Sequence, residues 1–247
     1  MSGQLHLHGT QLMTLQDTDP GDIPAVLDRR PFVGTYTNLH TFRDVCEHQA
    51  YRRYVLKDQK FFETPAMLFG KEAHTALEKR VGKGQVLPDN FRDWEKHCTQ
   101  FDKYEVMTEQ KLAINAKGQA TGYWDDDCWF RGQADVVVMQ NDKAMFTDWK
   151  TGNPRYAETF ELATGALLLK AKYPQLRQVA GRFIFLKDDQ VGPMHDLSDF
   201  QATWREINRL MNLIAEKKKS GIWEKKKSGL CGYCSVEDCE NYYVARP

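Results

Sequence analysis

Apolar and polar positions change period twice along this 247-residue chain, and the changes outline its elements. Residues 1–35 hold no sustained period and contain the breakers "DTDPGD" and "RRP", so a loosely ordered arm is expected there. Residues 38–58, "NLHTFRDVCEHQAYRRYVLKD", space apolar and aromatic groups as a helix does. A second helix is expected over "TPAMLFGKEAHTALEKRV", with Pro65 near its start and Gly82 past its end, and a third over 88–100. The period then shortens. "YEVMTEQKLAIN", "CWFRGQADVVVMQ" and "KAMFTDWKTG" read as three strands, the last two joined by a turn at Asn141 and Asp142. A helix over 156–173, a strand in "QVAGRFIFLKDD" and a long amphipathic helix over 198–219 complete the pattern, followed by a cysteine-bearing tail. The fold class this implies is α/β: a central mixed sheet flanked by helices, with a helical layer from the N-terminal part.

Composition narrows the setting. A 41% hydrophobic and 28% charged content suits a water-soluble globular domain. No stretch is apolar enough to span a membrane, and the first residues show neither a basic nor an apolar leader segment. A reducing, cytoplasmic location is the expectation. Lys+Arg and Asp+Glu balance at 34 each, so the overall charge is uninformative about partners. Locally the balance breaks in 216–229, "EKKKSGIWEKKKSG". This run is either a solvated helix end or a phosphate contact through Lys217, Lys218, Lys219, Lys225, Lys226 and Lys227. In the second case Trp223 between the lysines would stack on a base.

Six cysteines are distributed unevenly: Cys46, Cys98 and Cys128 are dispersed, whereas Cys231, Cys234 and Cys239 share "LCGYCSVEDCEN". In a reducing compartment such clustering reads as thiolate ligation rather than disulfides. Zinc and a 4Fe–4S cluster both accept four thiolates, and spacing alone does not separate them.

The stretch "FTDWKTG" carries the chemistry. Residues two apart on a strand share a face, so Asp148 and Lys150 stand side by side amid residues that prefer burial. A structural ion pair is one reading. The other brings in Asp135, which begins the apolar run of the preceding strand; a hairpin turn would carry it close to Asp148. Two aspartates suit a magnesium or manganese ion, and a lysine beside them would orient or deprotonate water.

"GQAD" followed by "TDWKTG" resembles the G-x-x-D … D-x-K-T-G signature of the PD-(D/E)XK nuclease superfamily, in particular its RecB-like exonuclease branch, which includes CRISPR-associated iron–sulfur exonucleases. "MLFGKEAHTALEKR" resembles the G-x-x-x-H helix of that branch, "TEQKLAI" its glutamate-bearing strand, and "TFRDVCEHQAYRRY" the early helix whose cysteine joins three late ones. The resemblance runs from about Asn38 to Cys239 and implies a restriction-endonuclease-like core over 36–247, with 229–247 a cysteine-rich tail packing on the N-terminal helix. It implies Mg2+ or Mn2+ held by His74, Asp135, Asp148 and the Trp149 carbonyl, with Asp135, Asp148 and Lys150 catalytic and Glu109 and Glu161 as accessories. It further implies a 4Fe–4S cluster, in preference to zinc, on Cys46, Cys231, Cys234 and Cys239. The expected activity is phosphodiester hydrolysis on single-stranded or end-resected DNA, in recombination or repair in a bacterial or phage-infected cell. The chain departs from the branch where Q-x-x-x-Y-A is usual. There "ELATGA" puts Glu161 in place of the glutamine and Gly165 in place of the tyrosine. That departure motivates the alternative of a catalytically silent module that binds DNA or a partner.

Overall fold

The computed structural model describes residues 32–59 and 63–244. Six strands, β1 (Val106–Ile114), β2 (Phe130–Gln140), β3 (Lys143–Lys150), β4 (Gln178–Phe185), β5 (Gln190–Val191) and β6 (His195–Asp196), form one mixed sheet. Its order is β1-β2-β3-β4-β5, with β6 also on β4. The first three strands form an antiparallel meander, and β3 and β4 run parallel. The helices are α1 (Tyr36–His40), α2 (Glu47–Ala50), α3 (Pro65–Lys83), α4 (Glu95–Cys98), α5 (Thr159–Lys172) and α6 (Phe200–Ser220). The mixed sheet flanked by helices, with a helical N-terminal part, is the architecture the sequence pattern implies. No helix among the described residues is long and apolar enough to cross a membrane.

The sheet separates two cores. On one face α5 and α6 pack Leu162, Leu168, Leu169, Ile207 and Leu210 against Phe130, Val137 and Phe146. On the other, Ala73 and Leu77 of α3 pack with Phe91, Trp94 and Phe101 against Val136, Val138, Trp149 and Ile184. Strands covered on both faces read as near-continuous apolar runs, which is why "ADVVVM" does not alternate.

Several boundaries differ from expectation, each for a local reason. Helix α3 starts as anticipated, with the Thr64 hydroxyl accepting from Met67 N–H at 3.2 Å and Pro65 in the first turn. It does not stop at Gly82. It ends at Gly84, whose φ of +66° is the left-handed conformation glycine adopts freely. Gly82 is instead a point of close approach: a Cβ there would run into Thr108 of β1. The expected third helix is broken into turns at Asp89–Trp94, Glu95–Cys98 and Thr99–Phe101. Side chains three apart eclipse in the tighter 3₁₀ turn, and Phe91 stacks on Trp94 with centroids 4.8 Å apart. The helix expected over 38–58 is interrupted at Cys46. A wide turn closed by Cys46 N–H to Thr41 C=O (2.8 Å) precedes it, and its own backbone is extended. At the edge of the expected arm, Gly34 pairs with Phe130 of β2; residues 1–31 lie outside the described residues.

Candidate active site

Strands β2 and β3 pair with Val136 opposite Thr147, so the next positions along the ladder bring Asp135 opposite Asp148. Both carboxylates are only 7% exposed. Asp135 Oδ2 accepts the Trp149 backbone N–H at 2.8 Å, which fixes the carboxylate. Its other oxygen lies 3.4 Å from Nδ1 of His74, carried by α3. Glu109 joins from β1, with Oε1 3.9 Å from the same nitrogen. The β1–β2 register places Glu109 across from Asp135, and its φ of +50° is left-handed backbone in a strand. Such a conformation costs on the order of 1–3 kcal/mol and recurs at functional sites. One ligating atom each from His74, Glu109 and Asp135 thus falls within a mutual 4.8 Å.

Beside this trio, Lys150 Nζ sits 2.9 Å from Asp148 Oδ2 and 2.7 Å from Glu161 Oε2 of α5. The alternation that put Asp148 and Lys150 on one face in sequence holds in the fold. Trp149 points to the opposite face, 2% exposed and edge-on to Phe101. Asp148 Oδ2 is buried, with the Lys150 ammonium as its partner. The imidazole of His74 and the carboxylates of Glu109 and Asp135 form a donor set that fits a hard divalent cation.

The electrostatics agree. Burial and the neighbouring Asp148 charge push the Asp135 carboxyl up to about 6. Burial and Asp148 likewise push Glu161 up to about 7, offset only in part by Lys150. Burial opposes the charge on His74, but hydrogen bonds to Asp135 and Glu109, together with the charges of Asp135 and Asp148, outweigh it and hold its pKa at about 10. For Lys150 burial is again overcome, by Asp148 and Glu161, which keep the ammonium well above the usual lysine range. Burial and the charges of Glu161 and Glu158 hold the Tyr36 phenol protonated at the margin of this cleft. Four carboxylates thus share two cationic side chains, a surplus of negative charge that a bound cation relieves.

The cysteines gather at a separate place. Cys46, Cys231, Cys234 and Cys239 line one open pocket together with Val45, His48 and Lys226. Backbone N–H groups point at three of the sulfurs: Lys226 to Cys46 (3.5 Å), Ser228 to Cys231 (3.3 Å) and Val236 to Cys234 (3.5 Å). Burial, with the other three thiols nearby, raises the Cys234 pKa. Cys98 and Cys128 are buried elsewhere, in the ordinary manner of small apolar side chains.

The lysine run is largely engaged within the chain. Lys217 pairs with Glu47 (2.7 Å), Lys225 with Glu240, and Lys226 donates to the Asp44 carbonyl (2.8 Å). Lys218, Lys219 and Lys227 have no such partner among the described residues. Trp223 corrects the stacking expectation: it is 8% exposed, stacked on Tyr51 at 4.7 Å and edge-on to Phe42, so no base can reach its face. Gly165, the site of the missing tyrosine, packs so closely on Phe146 that a Cβ would meet the ring at 2.6 Å. Tyr36, which sequence reading did not single out, brings a phenol to this cleft from α1; the capping pattern of Thr35 and Asn38 marks the helix start but not that destination.

Acidic side chains of three neighbouring strands beside a histidine of α3, with a lysine two residues beyond an aspartate, form a group that could hold a metal ion. Residues 35–239 match the PD-(D/E)XK nuclease superfamily, and the chain belongs to it. Among solved structures it is similar to the crystal structure of SSO0001, at 13% identity and a TM-score of 0.48, covering 89% of this chain and 91% of that one. A candidate exonuclease from Eubacterium rectale is similar at 10% identity and a TM-score of 0.45, over 87% and 90% of the two chains. No curated protein matches significantly.

Proposed function

We propose that this chain is a divalent-metal-dependent deoxyribonuclease of the RecB-like branch, acting as an exonuclease on single-stranded or end-resected DNA. The observation that carries the reading is the gathering of His74, Glu109 and Asp135, with Asp148 opposite Asp135 on the next strand and paired to Lys150. His74, Asp135, Asp148 and the Trp149 carbonyl would hold Mg2+ or Mn2+, with Glu109 within reach as a further ligand. When bound, such a cation supplies charge neutralisation at the phosphate and lowers the pKa of the attacking water. The chain's own groups do the rest. Asp135 is immobilised by the Trp149 N–H, so the ligand geometry is set before substrate arrives. Lys150, its ammonium held by Asp148 and Glu161, orients water and stabilises charge on the phosphate oxygens. A proton-accepting role for Lys150 is disfavoured by the same two carboxylates. Glu161 takes the place of the branch glutamine as the partner that aims Lys150.

The four-cysteine pocket supports a 4Fe–4S cluster in this reading. Three N–H···S contacts resemble the hydrogen bonds that surround ligating thiolates. Lys218, Lys219 and Lys227 are the members of the lysine run left to contact DNA.

The test is direct. The purified full-length chain should degrade labelled single-stranded DNA in Mg2+ or Mn2+, and Lys150→Ala should reduce the rate by about 10²-fold or more while leaving the circular dichroism unchanged. Equal cleavage by both proteins would remove Lys150 from the mechanism. The second reading, a silent DNA- or partner-binding module, is favoured by Gly165, which leaves α5 without the tyrosine that the branch uses. DNA affinity without cleavage in either metal would establish it.

A further inference from the structure

We propose that the loop joining β1 to β2 carries a stacking platform for single-stranded DNA, centred on Trp124, from which the strand runs along β1 and β2 into the His74–Asp135 cleft. The proposal rests on the nuclease reading for what lies at the end of that path. It adds a binding site outside the catalytic cluster and outside the lysine run.

Trp124 is 72% exposed, although burial is the ordinary destination of so large an apolar ring. It stands edge-on to Tyr123, centroids 5.0 Å apart. The Arg131 guanidinium lies 4.4 Å from the Trp124 centroid and 4.7 Å from that of Tyr123, and Lys111 Nζ lies within 6.0 Å of both. Arg131 Nη1 also donates to the Tyr123 carbonyl at 2.9 Å. Two aromatic rings beside two cations form the pairing that single-strand binders use: base on ring, phosphate on charge.

The loop is built to hold this shape. Gly122 N–H donates to Asp125 Oδ2 at 2.8 Å, the Thr121 hydroxyl to Asp127 Oδ1 at 2.5 Å, and Cys128 N–H to the Asp125 carbonyl at 3.0 Å. Gly122 lets the Asp125 carboxylate pack directly over the backbone, where a Cβ would push it aside. Two of the three loop aspartates are thereby engaged with the loop's own donors; Asp126 stands exposed beside them. A fixed ring binds with less loss of side-chain entropy than a mobile one.

The platform connects to the His74 and Glu109 end of the cluster along the face of β1 and β2 turned away from α5. Gly132 faces Leu168 of α5, so its neighbours Arg131 and Gln133 face the opposite way. Lys111 is the register partner of Gln133 and shares that face. The Gln133 amide donates to Glu109, which reaches His74. Lys111 and Gln133 are exposed, so α3 does not cover this row. From Arg131 to Asp135 the strand spans about 13 Å, the length of roughly four nucleotides at stacked spacing.

The test uses the full-length protein in EDTA, which suppresses cleavage, with fluorescence anisotropy of labelled oligodeoxythymidylate and of a blunt duplex. Trp124→Ala should weaken oligodeoxythymidylate binding about tenfold, the worth of one base–aromatic stack, and leave duplex binding unchanged. Trp124→Phe should recover most of the loss. Arg131→Ala and Lys111→Ala should each reduce the slope of log affinity against log salt by about one. Equal binding by wild type and Trp124→Ala overturns the platform, as does an equal loss on duplex or an absence of binding at low salt. Cleavage in Mn2+ separates the two claims. A wild type that cuts without any dependence on Trp124 leaves the nuclease standing and removes the platform. A wild type that binds through Trp124 and never cuts keeps the platform and removes the nuclease.

Discussion

Asp135 and His74 are coupled to protons in a way that makes metal binding depend on pH. His74 has its pKa lifted from 6.5 to about 10, so the stability it contributes to the metal-free fold is complete below 6.5 and drains away as the pH climbs to 10. Asp135 is an acid whose folded pKa of about 6 lies above its ordinary 3.8, so ionising it between those values also costs the folded state. Both shifts make the metal-free cluster less stabilising as pH rises. A divalent ion held as proposed would reverse the trend, since it would displace the imidazole proton and pair with the carboxylate. Mn2+ should therefore raise Tm by more at pH 8 than at pH 5.5 in scanning fluorimetry, and His74→Ala should shrink the difference, leaving the part due to Asp135. An equal Tm rise at both pH values would mean that the ion binds elsewhere. At this scale the sequence was legible wherever period or motif spoke: Asp148 beside Lys150 follows from strand alternation, and His74 and Glu109 follow from the family resemblance. The left-handed backbone at Glu109, which turns a strand residue into the cleft, leaves no mark in residue type. Trp124 was passed over because an aromatic in a loop carries no period, and its exposure is decided by the tertiary fold.

Element by element, the periods located every long strand and helix, whereas the ends were set by contacts between elements. Helix α5 shows why. Its position 165 is glycine in the middle of a helix, which costs about 1 kcal/mol relative to alanine by propensity alone. Phe146 of β3 occupies the space a side chain would need, with a ring carbon 2.6 Å from the Cβ position. Gly165→Ala should therefore destabilise the protein by about 1–3 kcal/mol through overpacking, opposite in sign to the propensity effect, as measured by urea unfolding. Stabilisation would show that Phe146 moves aside freely. The same close approach leaves position 165 of α5 no room for a side chain as large as tyrosine. Gly82 of α3 repeats the lesson against Thr108, where a glycine expected to end a helix instead lets the helix lie close to β1. Sequence spacing identifies a glycine; only the neighbouring element says whether it is a stop or a point of contact.

For the whole molecule the question is what holds the cysteine tail to the N-terminal helical run. Ionic links are present, Arg52 to Asp238 at 2.9 Å and Lys217 to Glu47 at 2.7 Å, but exposed pairs of this kind contribute about 0–1 kcal/mol each. Trp223 contributes more, since it is buried between Tyr51 and Phe42 one turn away from the Cys46 pocket. His48 N–H to Glu224 C=O (3.0 Å) and Glu224 N–H to Glu47 (3.1 Å) then tie the backbone beside it. The tail is therefore fastened at two adjacent points, an aromatic anchor and a thiolate pocket, and both act on the same short segment. Trp223→Ala should cost about 3 kcal/mol, at the low end for a buried tryptophan. If the four cysteines hold the proposed cluster, an anaerobically purified sample should absorb in the visible, and Cys46→Ser should remove that absorbance and lower Tm. Because each substitution frees the segment that the other would constrain, the double variant should lose less than the sum, with a coupling above about 0.5 kcal/mol. Strict additivity in urea unfolding would mean that the anchor and the pocket stabilise different parts of the fold. The sheet and both of its cores are built without the tail, apart from Trp223 at the margin of one. The double variant should accordingly keep its sheet dichroism and the pH-dependent Tm rise with Mn2+, even as trypsin gains access to Lys225, Lys226 and Lys227.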